Sequence, residues 1–450
     1  MTKDLAWQKL KNQVIDKGLC TRCGSCVGLC QTGSIRFYHE LDECLPEKNK
    51  PCGCEACRKT SWQACSGKDV PFPQIEKYLF NKLSSNRFLG NISRSFVGYS
   101  QDPTIRYLSA SGGLITTTLL YLLKTKKIDA AVVVGNNQAE PYKPEVKLAK
   151  TAKEIILAAQ SKYAIVPVNT ILRKVSKFEG KVAYVGLPCQ VHSLRKLQLE
   201  NHPSVKNIVF VLGSYCGINL HYTAVKSFIK NQGIHHLSQI KSLQFRAGEW
   251  PGKMRVETKN GRVFELEKFY ANYLIPFYAM KRCLVCTDLT NELADISFGD
   301  AWAPRYEERK QGWSLILTRT PKENLLIEEM RRQKVVHLEP ISIPKVINMH
   351  SHMLDFKKRG AFIRIFRKPI SDQPNYDYAP VNIAYKRQFF EYFISSLFWL
   401  GQTKLAHLLI EHFPIKFTGN IFMQARLIWK KLTYTSKRSG LGDLKFKTLD

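Results

Sequence analysis

Cys20, Cys23, Cys26 and Cys30 stand together in the run CTRCGSCVGLC. The intervals, C-x2-C-x2-C-x3-C, are those with which bacterial ferredoxins wrap an iron–sulfur cluster. Three thiolates on one tight turn grip one cube, and the fourth, set one residue further on, reaches across to a second. Gly24 suits a loop that must curl round a sulfur cage, where a Cβ would crowd it. Zinc is the competing occupant, but zinc sites pair two C-x2-C knuckles, or one knuckle with histidines, across a longer gap. Four thiols packed this closely fit a cluster better, and they mark the chain as an electron carrier. One position departs from the ferredoxin pattern: Gln31 follows Cys30, where proline is usual.

A second group follows, Cys44, Cys52, Cys54, Cys57 and Cys65. Cys54 and Cys57 form a C-x2-C pair, with Cys65 further along. Read as a degenerate second half of a ferredoxin, the group completes two 4Fe–4S clusters, with Cys30 and Cys65 exchanged as fourth ligands. Cys52 is an alternative ligand, and Cys44 reads as a spare.

With 450 residues and 44 % hydrophobic content, the chain can build two or three domains with sizeable cores. Its 13 cysteines come without a secretory leader, because MTKDLAWQKLKNQVIDKGL is charged and lacks an apolar core. A reducing, cytoplasmic setting is the expectation, and there thiols serve as metal ligands more often than as bridges. No run of roughly 18 uninterrupted apolar residues argues for a membrane span. The formal net charge is +31. Lysine and arginine are spread along the chain without a zinc-finger or RNA-binding signature, so nucleic acid ranks behind other anionic partners. A diffuse basic surface suits an acidic electron carrier of the ferredoxin or flavodoxin type, an anionic cofactor, or anionic lipid.

Residues 1–70 form the ferredoxin-like module, and 71–95 read as a linker with a short helix. From Phe96 the texture changes. Ile128–Val134, Lys181–Gly186 and Asn207–Leu212 are short, β-branched and bounded by glycine or polar loops, as buried strands are. Helical patterns over Leu114–Lys124 and Val191–Leu197 lie between them. The alternation predicts an α/β domain over 96–345 with a largely parallel sheet. Residues 346–450 are basic and mainly helical. Beyond a break at SDQPNYDYAP, Phe390, Phe393, Ile394, Leu397 and Phe398 recur at helical spacing, followed by Leu405, Leu408 and Leu409. Ile421–Leu432 is a further amphipathic candidate carrying Arg426, Lys430 and Lys431. Such helices pack on the main domain, dock a partner, or make peripheral contact with a membrane surface.

Two further features carry chemistry. Cys189 in VGLPCQ and Cys216 in GSYCG each follow a predicted strand. If those strands are parallel neighbours, both thiols emerge at the carboxyl edge of one sheet, where open α/β folds place ligands. Cys283 and Cys286 add a C-x2-C knuckle, and four thiolates suffice for a 4Fe–4S cluster. Core packing is the competing reading of such cysteines. Ser109-Ala-Ser111-Gly112-Gly113 precedes the apolar helix from Leu114, and a serine N-cap ahead of a helix start offers N–H groups to a phosphate. An ordinary capped helix has the same pattern.

These residues resemble the family of coenzyme F-420 hydrogenase/dehydrogenase beta subunits. The resemblance rests on GYSQDPTIRYLSASGG, QSKY, YVGLPCQ, GSYCG and CLVCTDLTNELADISFGDAW in that order, behind the ferredoxin-like segment. It covers roughly residues 15–320 and leaves the last hundred or so without a matching block. The resemblance implies FAD beside a 4Fe–4S cluster. It makes Ser109, Ser111, Gly112, Gly113, Lys162 and Tyr163 the flavin candidates, and Cys189, Cys216, Cys283 and Cys286 the ligands of an inner cluster. Leu187 stands where the family more often has threonine. The expected function is an iron–sulfur flavoprotein oxidoreductase with two or three clusters. It would move electrons between a ferredoxin-type carrier and an organic hydride acceptor or donor. Asp288 and Asp300 are the carboxylates placed to handle protons, although such residues more often cap loops. The alternatives are an electron-relay subunit of a larger complex and a zinc-bearing nucleic-acid or scaffold protein.

Overall fold

The computed structural model describes residues 4–307, 310–434, 441 and 444–449, with the side chains of Phe269 and Tyr270 outside the description. At its centre lies an eight-stranded sheet. In chain order its strands are β1 (Arg94–Ser100), β2 (Ala130–Asn136), β3 (Pro144–Ala149), β4 (Val182–Gly186), β5 (Ile208–Ser214), β6 (Ile296–Asp300), β7 (Ser314–Thr318) and β8 (Val336–Pro340). Across the sheet they run β8-β1-β7-β6-β5-β4-β2-β3. Parallel pairing is confined to β2, β4, β5 and β6. Both flanks are antiparallel, which corrects the largely parallel sheet expected from the sequence. The short link from Asn136 to Pro144 shows why at one edge: it has no room for a crossover helix, so β3 must turn back on β2. The three strands and two helices expected from apolar runs are all present, the Leu114–Lys124 helix residue for residue.

The helix Pro188–Leu199 is buried from Gln190 to Leu197 on all sides. It lies between the sheet and the cysteine-rich N-terminus, and its Val191, Leu194 and Leu197 share one core with Leu10, Val14 and Leu19 as well as with Val132 and Val182. Its polar residues are satisfied across that contact. Lys196 Nζ donates to Cys65 O and to Asp69 Oδ2, each at 2.8 Å, and Ser193 Oγ donates to Ala64 O at 2.5 Å. The 4–70 segment is therefore built into the sheet domain. Gly24, at φ +95°, and Gly28 press on the 167–170 loop. The 71–95 segment is equally integral: Phe72 and Ile75 of the Phe72–Phe80 helix are fully buried, and Glu76 pairs with Arg87 at 2.8 Å.

A three-stranded antiparallel sheet, Ile240–Ala247, Lys253–Thr258 and Val263–Glu267, stands apart from the main one. Its signal was the alternation that buries Met254, Val256 and Thr258. The expected helical C-terminus consists of Ile343–Asp355, continued by Phe356–Phe366, and then Tyr385–Gly401, Lys404–His412 and Ile415–Leu432.

A Cβ on Gly28 would stand 2.1 Å from Asn169 O. Alanine in a helix ordinarily stabilises relative to glycine by about 0.5–1 kcal/mol. Gly28→Ala is expected to reverse that sign and cost about 1–3 kcal/mol by overpacking. Gly53→Ala, with nothing within 4 Å, is expected to be close to neutral. Urea denaturation of both variants measures the difference.

Candidate active site and metal centres

The sulfurs of Cys30, Cys52, Cys54 and Cys57 all lie within 4.8 Å of one another. Cys52 Sγ is 3.0 Å from Cys54 Sγ and 3.5 Å from Cys57 Sγ. Cys30 thus leaves its own run and joins the second group, and Cys52 takes the place that spacing left open. Cys65 makes the reverse exchange, lying with Cys20, Cys23 and Cys26 around one small cavity. Burial, then Cys20, Cys23 and Cys65 beside it, push the Cys26 thiol well up. Cys44 joins neither group; it is buried in one cluster with Ile165, Met280 and Cys283. Its thiol is pushed up to about 12, chiefly by burial.

Cys189 and Cys216 follow β4 and β5, which are parallel neighbours as the sequence reading required. Cys216 N donates to Leu289 O at 2.9 Å, tying that strand end to the loop after the Cys283–Cys286 knuckle. The four thiols act on one another electrostatically. Burial, then Cys216, Cys283 and Cys286, raise the Cys189 thiol, and Cys23 of the N-terminal run adds to the same effect. The inner group and the N-terminal module are therefore electrostatic neighbours.

Two buried cations at this group had no sequence signal. Lys357, 1 % exposed, has no carboxylate partner among the described residues and lies by Cys286; burial opposes its charge, but Cys286, Cys283 and Cys216 hold its ammonium protonated. Its neighbour Lys358 instead pairs with Glu292 at 2.5 Å. Arg282 is also buried, donating to Gly67 O, Ser66 O and Tyr376 OH beside Cys286 and Cys189. An uncompensated buried lysine facing only sulfur is costly unless that sulfur carries negative charge, as metal-bound thiolates do.

A cavity of about 1420 Å³ opens at the carboxyl edge of the sheet, and Cys216 is in its wall. Ser109, Ser111, Gly113, Lys162 and Tyr163 line it, but Gly112 does not. The Gly112 N–H donates to Ser314 Oγ at 2.9 Å, and a Cβ there would stand 2.5 Å from Gly98 O. Gly112 is needed for close packing and offers a phosphate nothing. The serines do not cap the following helix either. Ser109 Oγ donates back to Ile105 O and Ser111 Oγ to Trp313 O. The N-cap is Gly113, at φ +78° and without a side-chain cap, so the first-turn N–H groups lack the partner that a serine would supply.

On the opposite wall Tyr163 OH accepts from Arg246 Nη1 at 2.8 Å, and the same nitrogen donates to Asp300 Oδ2 at 3.0 Å. Burial raises the Tyr163 phenol, yet Arg246 and Lys268 hold it below its ordinary value. Lys162 donates to Ala158 O, Ala159 O and Gln160 O, and burial lowers its ammonium to about 8. The two candidate carboxylates separate here. Asp300 lines the cavity. Asp288 is fully buried outside it, accepting from Asn291 N and Glu292 N and sitting 2.9 Å from His192 Nε2. It fixes the loop behind Cys286.

Groups of thiols leading to a cavity at a sheet edge define an iron–sulfur protein of electron transfer. Family models agree. Residues 14–36 match a 4Fe-4S binding domain, and the "Coenzyme F420 hydrogenase/dehydrogenase, beta subunit" models match at 95–173 for the N-terminal part and 179–343 for the C-terminal part. The chain belongs to the family of coenzyme F420 hydrogenase/dehydrogenase beta subunits. Among its relatives, the coenzyme F420-dependent sulfite reductase of Methanocaldococcus jannaschii is 27% identical over 77% of this chain, which spans only 52% of that enzyme. One of the subunits named for the F(420)H(2) dehydrogenase of Methanosarcina mazei is 28% identical, over 77% of this chain and 92% of its own length. A chain of the F420-reducing [NiFe] hydrogenase complex from Methanosarcina barkeri shares the fold, with a TM-score of 0.50 and 24% identity, over 61% of this chain and 92% of that one.

Asp288→Asn leaves the loop's N–H groups an acceptor but removes the charge facing His192. Breaking such a buried interaction is expected to cost roughly 3 kcal/mol in urea melts.

Proposed function

We propose that the chain is an iron–sulfur flavoprotein oxidoreductase that moves electrons between a ferredoxin- or flavodoxin-type carrier and a small organic hydride acceptor or donor. The observation that carries this reading is the order of the thiols in space. Cys30 links the Cys52–Cys57 group to the N-terminal run, Cys23 of that run neighbours Cys189, and Cys216 reaches the cavity. Three 4Fe–4S clusters fit these groups, held by Cys30, Cys52, Cys54 and Cys57, by Cys20, Cys23, Cys26 and Cys65, and by Cys189, Cys216, Cys283 and Cys286.

FAD fits the cavity on three grounds. The volume of about 1420 Å³ exceeds the roughly 300–1,000 Å³ typical of a single-ligand pocket, leaving room for a flavin and a second molecule. Tyr215 OH and His350 Nε2 are buried in its wall without hydrogen-bond partners among the described residues. The Leu114–Lys124 helix start, uncapped by any side chain, is a phosphate-binding end. A flavin bound here supplies the exchange between single electrons and a hydride. Arg246 fixes Tyr163 and Asp300 against each other, and Lys162 is placed to give or take a proton near neutral pH. Lys357 and Arg282 offset the charge of the inner cluster. The deazaflavin coenzyme named in the relatives is the first organic substrate to test.

A second reading is favoured by the relatives being named as subunits: an electron relay docked to a larger complex. Turnover of a hydride acceptor by the isolated chain with reduced ferredoxin supports the enzyme; its absence, with rapid cluster reduction, supports the relay.

Anaerobically purified protein is expected to carry about twelve irons per chain, four for each set of four thiols, and to release FAD on denaturation. Zinc in their place overturns the reading. Cys286→Ser is expected to slow flavin reduction in stopped flow more than it lowers flavin content. Lys357→Met removes a positive charge, so adding an electron to the inner cluster becomes less favourable and its potential falls. A unit charge roughly 5–10 Å away at an effective dielectric of about 20 is worth about 2–3 kcal/mol, or on the order of 100 mV for one electron. A redox titration followed by electron paramagnetic resonance measures the shift.

A further inference from the structure

The C-terminal helices are built inside out. Tyr385–Gly401 turns Arg387 and Glu391 inward: Arg387 pairs with Asp355 at 2.9 Å and with Glu391 at 2.6 Å. Its Phe389, Phe393, Leu397, Trp399 and Leu400 are each more than half exposed. The next two helices continue the pattern with Leu405, Leu408, Ile428 and Leu432 equally exposed. Scattered apolar side chains are normal on a monomer, but a continuous series over three helices marks a surface that is covered in use. Outside the buried Arg387–Glu391 pair, the same helices carry six lysines and arginines against one acid, Glu411. Apolar and aromatic side chains rimmed by cations match an anionic bilayer surface, with Trp399, Tyr385 and Tyr392 at headgroup depth. No described helix is long and apolar enough to cross a membrane, so these would lie on it.

The second observation is their position. Leu397, Phe398, Phe422, Met423 and Trp429 line the cavity, with Arg426 and Lys430 beside them. Leu397 is at once in that wall and 52% exposed, so the cavity opens at the apolar face. The family models end at residue 343, so this face lies outside the residues they match.

We propose that residues 385–432 seat the protein on an anionic bilayer with the cavity mouth against the lipid. The second occupant of the cavity then enters from the bilayer as an amphiphile, its apolar tail against Leu397, Phe422 and Trp429 and its anionic head against Arg426 and Lys430. The nature of that occupant as substrate rests on the oxidoreductase reading; the membrane contact does not.

The test uses the full chain with its cofactors. Protein is sedimented with vesicles of phosphatidylcholine, with or without phosphatidylglycerol, and a phosphatidylglycerol carrying a diazirine in its acyl chain reports contacts after illumination. Binding should strengthen by roughly ten-fold or more with the anionic lipid and weaken with salt. Cross-links should fall on Trp399 or Leu400 and also on Phe422 or Met423. Trp399→Glu with Leu400→Glu, both at exposed positions, should lose roughly ten-fold or more in binding while iron, flavin and melting temperature match the parent. Three results overturn the proposal: no vesicle binding, a stable dimer in light scattering that buries Trp399, or cross-links confined to the outer faces. None of them bears on electron flow, because binding is read without turnover.

Discussion

Holding thiolate charge inside a protein is the constraint on which the rest of this structure depends. Thiols bound to metal lose their protons, and a buried anion away from water must be met by cations or N–H groups. The interior supplies them. Arg282, Arg319 and Lys357 are buried without a carboxylate partner among the described residues. Two of them, Arg282 and Lys357, stand at the inner cysteines. Asn219 N lies 3.4 Å from Cys283 Sγ and adds a neutral donor. Bare thiols have little need of such company, and a lysine buried among them would be a liability. These buried cations are placed to offset the charge that metal-bound thiolates carry.

The same constraint explains why the N-terminal segment is not a bead on a string. Electron transfer between redox centres needs them close, and the cysteine groups here are brought together by pressing small residues against each other. Gly24 and Gly28 allow the first cysteine run to lie against the 167–170 loop. Asn169 then bonds Ser25 Oγ at 2.8 Å and Gln190 O at 3.0 Å, joining the run to the start of the helix that carries Cys189. The helix Pro188–Leu199 is buried on all sides from Gln190 to Leu197 because it serves as the wall between two cysteine groups. Its polar residues are spent on holding that wall, as Lys196 does with Cys65 O.

What the sequence made legible follows the range of the physics. Local spacing revealed the first cysteine run, and apolar runs revealed the central strands, because both depend on neighbours in the chain. The carboxyl-edge placement of Cys189 and Cys216 followed from strand order. The choice of Cys52 did not, since spacing cannot say which of several nearby thiols folds back on Cys30. The SASGG segment misled because its serines look like caps, whereas Gly113 at φ +78° takes the cap position and the hydroxyls turn to carbonyls behind them. Lys357 was invisible for another reason. In KKRG it is one basic residue among many, and only the approach of residues 343–366 to the knuckle separates it from Lys358, which finds Glu292 instead.

The C-terminal helices show the limit of periodicity in its sharpest form. Phe393, Ile394, Leu397 and Phe398 share a helical spacing, and the ordinary inference places all of them against a core. In the fold only Ile394 and Phe398 are buried, while Phe393 and Leu397 face outward. The inward face had already been claimed by Arg387 and Glu391. Their network with Asp355, Arg359 and Arg364 anchors the helix to the segment that delivers Lys357. Replacing such a network with apolar side chains is often neutral or stabilising, so its retention is not explained by stability alone. Here it fixes which side of the helix faces out. Anchoring through charge leaves the apolar side chains on the outer surface and holds the Lys357 segment at the inner cysteines, so one network serves both ends of the cavity.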